Sequence, residues 1–245
     1  MKLPARTGSG ILVQRMTSRS DFEEASALYA DVFGYRDGSA LNTRLLRAIT
    51  RNGGIAVGAR TVSGVLVGFA YSFPAFVDGE LSLYSQAAFV RGSMQGRGLG
   101  RALKEAQKAE AVSHGFRSMK WSFDPALTRN AYFNFNVLGA TASVFEADYY
   151  DDGASDRLIA HWRFDEEVRV APLPVSASPD PQLWGTAQVQ EDATWVTVPR
   201  IPADVTLDVR RRLSATLGGL LHDGARITAC SSVDPATSAY EVHVW

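Results

Sequence analysis

The run Gln95-Gly96-Arg97-Gly98-Leu99-Gly100-Arg101 sets three alternate glycines and two arginines at the head of a helical pattern, "LGRALKEAQKAEA". Glycine lets a ligand approach the bare main chain. The first N–H groups of a helix are unpaired and carry the positive end of its dipole. Together they can cradle an anion, phosphate above all; a flexible turn closing a strand-to-helix connection would need no ligand. The frame narrows the choice. G-x-G-x-x-G counted from Gly96 fails because Arg101 stands third, and no G-x-x-x-x-G-K-[ST] string occurs.

The elements around this loop follow from periodicity and capping residues. "GILVQRM" reads as a strand. A helix follows with Ser20 as N-cap, Glu23 three residues on, an apolar face of Phe22, Ala25, Leu28, Tyr29 and Val32, and Gly34 at its end. A second helix is expected over Ser39 to Thr50. "GGIAVGART" and "GVLVGFAYSFPAF" form a hairpin around "VSG", and "ELSLYSQAAFV" is a strand feeding the glycine loop. The loop's helix spans about Leu99 to His114, with Leu99, Leu103, Ala106 and Ala109 facing inward. Then come the strand "FRSMKWSFD", the helix "LTRNAYFNFNVLG" ending at Gly139, and the strands "ASVFEADYY" and "DRLIAHWRF". Pro and Ser gather in "APLPVSASPDPQ" as a linker. Beyond it, strand, helix (Val205 to Leu221), strand and strand make a small β-α-β-β module.

Gln95-x-x-Gly98-x-Gly100 between a strand and a helix resembles the pyrophosphate loop of the GNAT acyl-coenzyme A N-acyltransferase superfamily. The order of elements is similar as well, roughly from Ile11 to Phe164. "YSQAAFV", "WSFDPALTRNAYFNFNVLGA", "SDRLIAHW" and the tail "TWVTVPRIPADV" look like a bacterial subgroup with a C-terminal extension, some of whose relatives are linked to amino-acid N-succinylation. The resemblance implies an α/β (α+β) fold: a mixed, mostly antiparallel central sheet flanked by helices, with splayed parallel strands at the coenzyme site. It implies residues 1–165 as the transferase domain, 166–190 as linker and 191–245 as the extension.

It also implies the chemistry, which is attack of an amine on the thioester of acetyl-coenzyme A or another acyl-coenzyme A such as succinyl. N–H groups from Gly96 to Arg101 (Gly96, Arg97, Gly98, Leu99, Gly100, Arg101) would bind the pyrophosphate, with Gln95 at the loop entrance. Arg97, Arg101 and Lys104 could meet phosphates, or the latter two could form a solvated helix face. Two parallel strands, Leu83 to Val90 and Phe116 to Phe123, would start together and part. The backbone of Ala88, Phe89 and Val90 would then take the pantetheine arm. Asn130 resembles the asparagine that contacts this arm, and can equally be an N-cap.

Many family members carry a tyrosine four residues before the glycine that ends this helix, as acid toward the thiolate. Counting from Gly139, Phe135 stands there, which puts the acid in doubt. Tyr132 is the leading substitute, with Tyr149 and Tyr150 further on. Asp124 is a candidate base or an Asp-Pro turn signal, and Glu80 is another candidate base or a solvated turn residue. Asn134 and Ser85 could hold a water; Ser85 and Arg129 are expected at the substrate, where Arg129 could clamp a carboxylate. The activity expected is N-acylation of a small amine or amino acid. The alternative is a non-catalytic acyl-coenzyme A-binding module that has lost its acid.

Composition excludes more than it selects. The 245 residues carry a net charge of −1, with 46% hydrophobic and 21% charged residues, and give no basic surplus for nucleic acid or an anionic membrane. Arg210-Arg211-Arg212 reads as a solvated helix face. With one cysteine, Cys230, and four histidines, no internal disulfide or zinc spacing is expected. His114 and His161 read as structural. No signal-peptide or membrane-span pattern occurs, so a cytoplasmic protein is expected. The extension could lengthen the sheet, cover the acceptor or form a homodimer surface.

Overall fold

Side chains that close helix ends set much of the local structure in the computed structural model, which describes residues 5–6, 10–35, 41–77, 79–166, 179–190 and 193–243. α1 (Arg19–Phe33) starts at the N-cap Ser18, whose hydroxyl accepts from the Asp21 N–H while the Asp21 carboxylate accepts from the Ser18 N–H. The expected Ser20–Glu23 box lies two residues off. Asp21 closes the earlier one because its Oδ2 also takes the Thr17 N–H and its Oδ1 the Arg60 guanidinium at 3.2 Å. Gly34 ends the helix as expected. α2 (Thr43–Arg51) is capped by Asn42, whose side chain accepts from the Leu45 N–H. The expected start at Ser39 lies outside the described residues.

The chain divides into two compact units, Met1–Lys120 and Trp121–Trp245. The first holds β1 (Ala5–Arg6), β2 (Leu12–Arg15), β3 (Ile55–Arg60), β4 (Leu66–Val77), β5 (Glu80–Val90) and the first half of β6 (Ser118–Phe123), side by side in that order. Neighbours are antiparallel except β5 and β6, which are parallel. β3 is buried from Ile55 to Ala59, the pattern of a strand covered on both faces. Its core joins Met16, Phe22, Leu28 and Leu46 to Phe69 and Phe89. α3 (Leu99–Ser113) packs on β3, β4 and β5.

The second unit holds α4 (Thr128–Tyr132), β7 (Thr141–Glu146), β8 (Arg157–Arg163), β9 (Ala187–Gln190), β10 (Ala193–Pro199), α5 (Leu207–His222), β11 (Arg226–Ser232) and β12 (Thr237–His243). Its strand order is β8-β7-β11-β12-β10-β9, antiparallel throughout. The expected β-α-β-β pattern is β10-α5-β11-β12. Short β9 was not anticipated, and most of the Pro- and Ser-rich linker lies outside the described residues. α5 buries Val209, Leu213, Leu217 and Leu221. Its arginines are not the uniform solvated face expected: Arg210 and Arg212 are half-buried and ion-paired, to Asp124 and Asp208. No helix among the described residues is long and apolar enough to cross a membrane.

Candidate coenzyme site and its neighbours

β5 changes character midway. On its β4 side Tyr71 faces Ala87 and Ser72 faces Ser85, so Gln86 has no counterpart and bulges. A bulge bends and twists its strand. On the other side the parallel pairing comprises Leu83↔Met119 and Tyr84↔Lys120, although β5 continues through Val90. Alternate residues of an antiparallel strand turn their N–H and C=O groups away from its partner. Past Tyr84, where the ladder to β6 has ended, Ala88, Phe89 and Val90 lie on this stretch. The two parallel strands therefore begin together, as expected.

The chain then turns into the glycine loop. A single 3-10 turn, Gly92–Met94, leads to Gln95, whose Nε2 donates to the Val90 carbonyl at 3.2 Å and ties the loop to its strand. Gly98 is the N-cap of α3 at φ 75°, in the left-handed region that glycine enters at least cost. The first helical bond runs from the Ala102 N–H to the Gly98 carbonyl. Among the described residues no acceptor meets the N–H groups of Gly96, Arg97, Gly98, Leu99, Gly100 or Arg101. Gln95 to Gly98 are exposed, Leu99 is buried and anchors the helix, and Gly100 is half-buried in the first turn. Arg101 is exposed, its Nε 3.9 Å from Glu105. The loop is thus a row of donors with guanidinium groups beside it, the geometry of an anion cradle.

Lys104 departs from both sequence readings. It is 3% exposed, neither on a solvated face nor among exposed phosphate ligands. Its Nζ donates to Ser85 Oγ at 2.8 Å, and Ser85 Oγ donates to Gln107 Oε1 at 3.3 Å. Burial pushes the Lys104 ammonium down to about 7. The buried stripe of α3 is Leu99, Leu103, Lys104, Gln107 and Ala111; Ala109, expected inside, is exposed. The i, i+4 series Leu99–Leu103–Gln107–Ala111 marks this face in the sequence, and Lys104 lies beside it, one residue after Leu103 and three before Gln107. Ser85, expected near a substrate, is a buried partner of this lysine.

In the second unit the segment after β6 carries the remaining expected residues. α4 is capped at Leu127 without a side-chain bond, so Asn130 is not its N-cap. The helix passes into a π turn, Phe133–Val137, a local widening frequent at functional sites. Thr128, Ala131, Asn134 and Phe135 are buried; Arg129, Asn130 and Tyr132 are exposed, Tyr132 at 51%. Asn134 accepts the Trp121 indole N–H at 3.1 Å. Phe135 is fully buried, edge-on to Phe123 and Tyr240 at 5.8 and 6.2 Å. Both Asp124 oxygens are engaged: Oδ1 accepts from the Ala126 N–H and Arg210, and Oδ2 accepts from Arg210 at 3.1 Å. Sequence reasoning missed Arg210 as its partner because 86 residues separate the two. Among the described residues no group of three His, Cys, Asp or Glu side chains could hold a metal ion.

No protein-family model matches the sequence, and neither does any curated protein. Solved structures do match. The yncA protein of Salmonella typhimurium, solved with its cofactor acetyl-CoA, is 18% identical with a TM-score of 0.53, over 68% of this chain and 99% of its own. The ribosomal-protein-S18-alanine N-acetyltransferase of Escherichia coli is 16% identical with a TM-score of 0.51, over 68% and 99%. A GNAT-family protein of Desulfovibrio desulfuricans is 17% identical with a TM-score of 0.50, over 63% and 99%. At these identities what is shared is the overall architecture. The chain has the fold of the GNAT acetyltransferases.

Proposed function

We propose that this protein is an acyl-coenzyme A-dependent N-acyltransferase that moves an acetyl or other short acyl group, such as succinyl, to the amine of a small molecule or amino acid. The observation that carries the reading is the continuous path from the unpaired stretch of β5, through Gln95, to the open N–H groups of Gly96 to Arg101 at the head of α3. Pantetheine amides would take the strand's spare hydrogen bonds and the pyrophosphate the loop. A solved neighbour with acetyl-CoA supports the choice of coenzyme.

The neutral amine attacks the thioester carbonyl, its nitrogen gives up a proton to solvent water, the C–S bond breaks, and the coenzyme leaves as a thiolate that takes up a proton. Holding amine and thioester in register supplies most of the gain, on the order of 7–11 kcal/mol. A β5 N–H near Ala88 or Phe89, aimed at the thioester oxygen, adds about 3–4 kcal/mol. We assign Tyr132 as the proton donor, because Phe135 has no hydroxyl and Tyr132 is an exposed phenol on α4. Asn130 takes the pantetheine arm and Arg129 a substrate carboxylate. Asp124, held by Arg210, serves as an anchor in this reading.

Incubation with acetyl- or succinyl-coenzyme A and a panel of amines, followed by free-thiol detection, tests the activity; thiol release that depends on an amine is expected. Tyr132→Phe should lower kcat about tenfold with KM for acetyl-CoA unchanged, less than general acids commonly contribute because a thiolate leaves readily. An unchanged kcat removes Tyr132 from the mechanism. A second reading is favoured by buried Phe135: a binding module that holds the coenzyme without turnover. Calorimetric binding of acetyl-CoA without thiol release for any amine would establish that reading.

A further inference from the structure

The C-terminal β-α-β-β elements touch the α4 segment at both of its ends, within one compact unit. At the entry, Arg210 of α5 forks onto Asp124, with Nη1 and Nη2 donating at 3.2 and 3.1 Å to its two oxygens. Beside it the Tyr240 hydroxyl of β12 donates to the Pro125 carbonyl at 2.5 Å. Tyr240 is fully buried, and its ring packs edge-on against Phe135. At the exit, the π turn is held by Asn136, whose Oδ1 accepts the Cys230 N–H of β11 at 3.0 Å and whose Nδ2 donates to Ser231 Oγ at 3.0 Å.

These bonds are specific rather than generic packing. A forked guanidinium–carboxylate pair fixes direction as well as distance. A main-chain carbonyl bonded by a buried phenol fixes the turn of the backbone itself. α4 has only Thr128–Tyr132 in regular helix and no side-chain N-cap, so it cannot hold its own register. What the grip decides is which way the helix faces. Thr128, Ala131, Asn134 and Phe135 go in; Arg129, Asn130 and Tyr132 stay out.

We propose that the C-terminal elements act as a clamp on α4, with Arg210, Tyr240 and Asn136 as positioning residues that orient Arg129, Asn130 and Tyr132 for the acyl transfer. The inference rests on the transferase reading above for its effect on rate, and on the geometry alone for its effect on α4. It gives the extension a task other than self-association: without it the Pro125 carbonyl and the Asn136 side chain would lose these partners and Asp124 its guanidinium, leaving Asn134 on Trp121 and Phe135 on Phe123 as the remaining holds.

The test uses the full chain with Arg210→Met, Tyr240→Phe and Arg210→Lys. The first reading is hydrogen exchange over residues 126–138, which needs no activity. Arg210→Met and Tyr240→Phe should speed exchange there about tenfold or more while β3 and β10 stay protected. Unchanged exchange in 126–138 overturns the clamp. The second reading is steady-state kinetics with acetyl-CoA. Both variants should lower kcat/KM by about tenfold to hundredfold at an unchanged folded fraction, and Arg210→Lys, which keeps the charge but not the fork, should recover part of it. Faster exchange with wild-type kcat and KM would leave Arg210 and Tyr240 as stabilisers only and overturn the positioning role. A wild-type protein that binds acetyl-CoA but releases no thiol refutes the transferase reading instead, while the exchange measurement still decides the clamp.

Discussion

Gly98→Glu is expected to weaken acetyl-CoA binding by on the order of a hundredfold or more and to leave the protein folded. Gly98 stands at φ 75°, and a Cβ built there meets nothing within 4 Å. The substitution therefore costs the left-handed backbone, about 1–2 kcal/mol, and no packing. Its carboxylate would sit at the head of α3, among the N–H groups of Gly96 to Arg101 that have no acceptor among the described residues. There it satisfies the donors from within and repels the pyrophosphate; like charges so placed cost several kcal/mol. Gly98→Asn is the control. Asparagine tolerates the left-handed region and carries no charge, so it should keep the fold and most of the affinity. Calorimetry with acetyl-CoA and a melting curve separate the outcomes. A Gly98→Glu protein that binds like wild type removes the loop from the coenzyme site. Equal losses in both variants would mean that loop shape, not charge, governs binding.

How much of this was legible before the structure depends on the range of each interaction. The strand–loop–helix around Gly98 is a local object: the apolar run of β5, glycines at alternate positions and the helical pattern of α3 are all written within thirty or so residues, although of the face expected for α3 Leu99 and Leu103 are buried and Ala109 is not. The helix caps at Asn42 and Thr206 are local too, though neither is among the caps expected from the sequence, and α1 shows the ambiguity when two serine–acid pairs compete and a distant residue, Arg60, favours one. Asp124 marks the other limit. Its Asp-Pro setting announced a turn, and its Oδ1 does accept the Ala126 N–H. Nothing nearby announced Arg210, which reaches it from α5 in tertiary structure alone. Tyr240 and Pro125, and Asn136 and Cys230, are pairs of the same kind. Phe135 was visible as a missing phenol; that its place is closed by Phe123 and Tyr240 was not.

Lys104 gives the largest expected effect on stability. An unfolded chain holds this proton up to about 10.5, whereas burial in the fold brings the group down to about 7. Between those values the unfolded state binds one more proton than the native state, so the contribution of Lys104 to stability rises with pH, at up to ~1.4 kcal/mol per unit. Below 7 both states are protonated, the slope vanishes, and the full cost of a buried ammonium remains. Lys104→Met keeps the length of the stem and removes the charge. It should be more stable than wild type at pH 7, and the gap should narrow by on the order of 2 kcal/mol between pH 7 and 9, as wild type gains what the variant never lacked. Urea unfolding of the two proteins across this range makes the comparison, and their other titrating groups cancel in the difference. Parallel stability curves would mean that Lys104 keeps its proton in the fold, held by Ser85 Oγ at 2.8 Å and the polar company of Gln107. A converging pair would show instead that α3 carries a neutral amine at its buried face. The amine would then still donate to Ser85 Oγ, or the single Ser85 hydroxyl hydrogen would turn from Gln107 to it, since a neutral amine accepts where an ammonium can only donate.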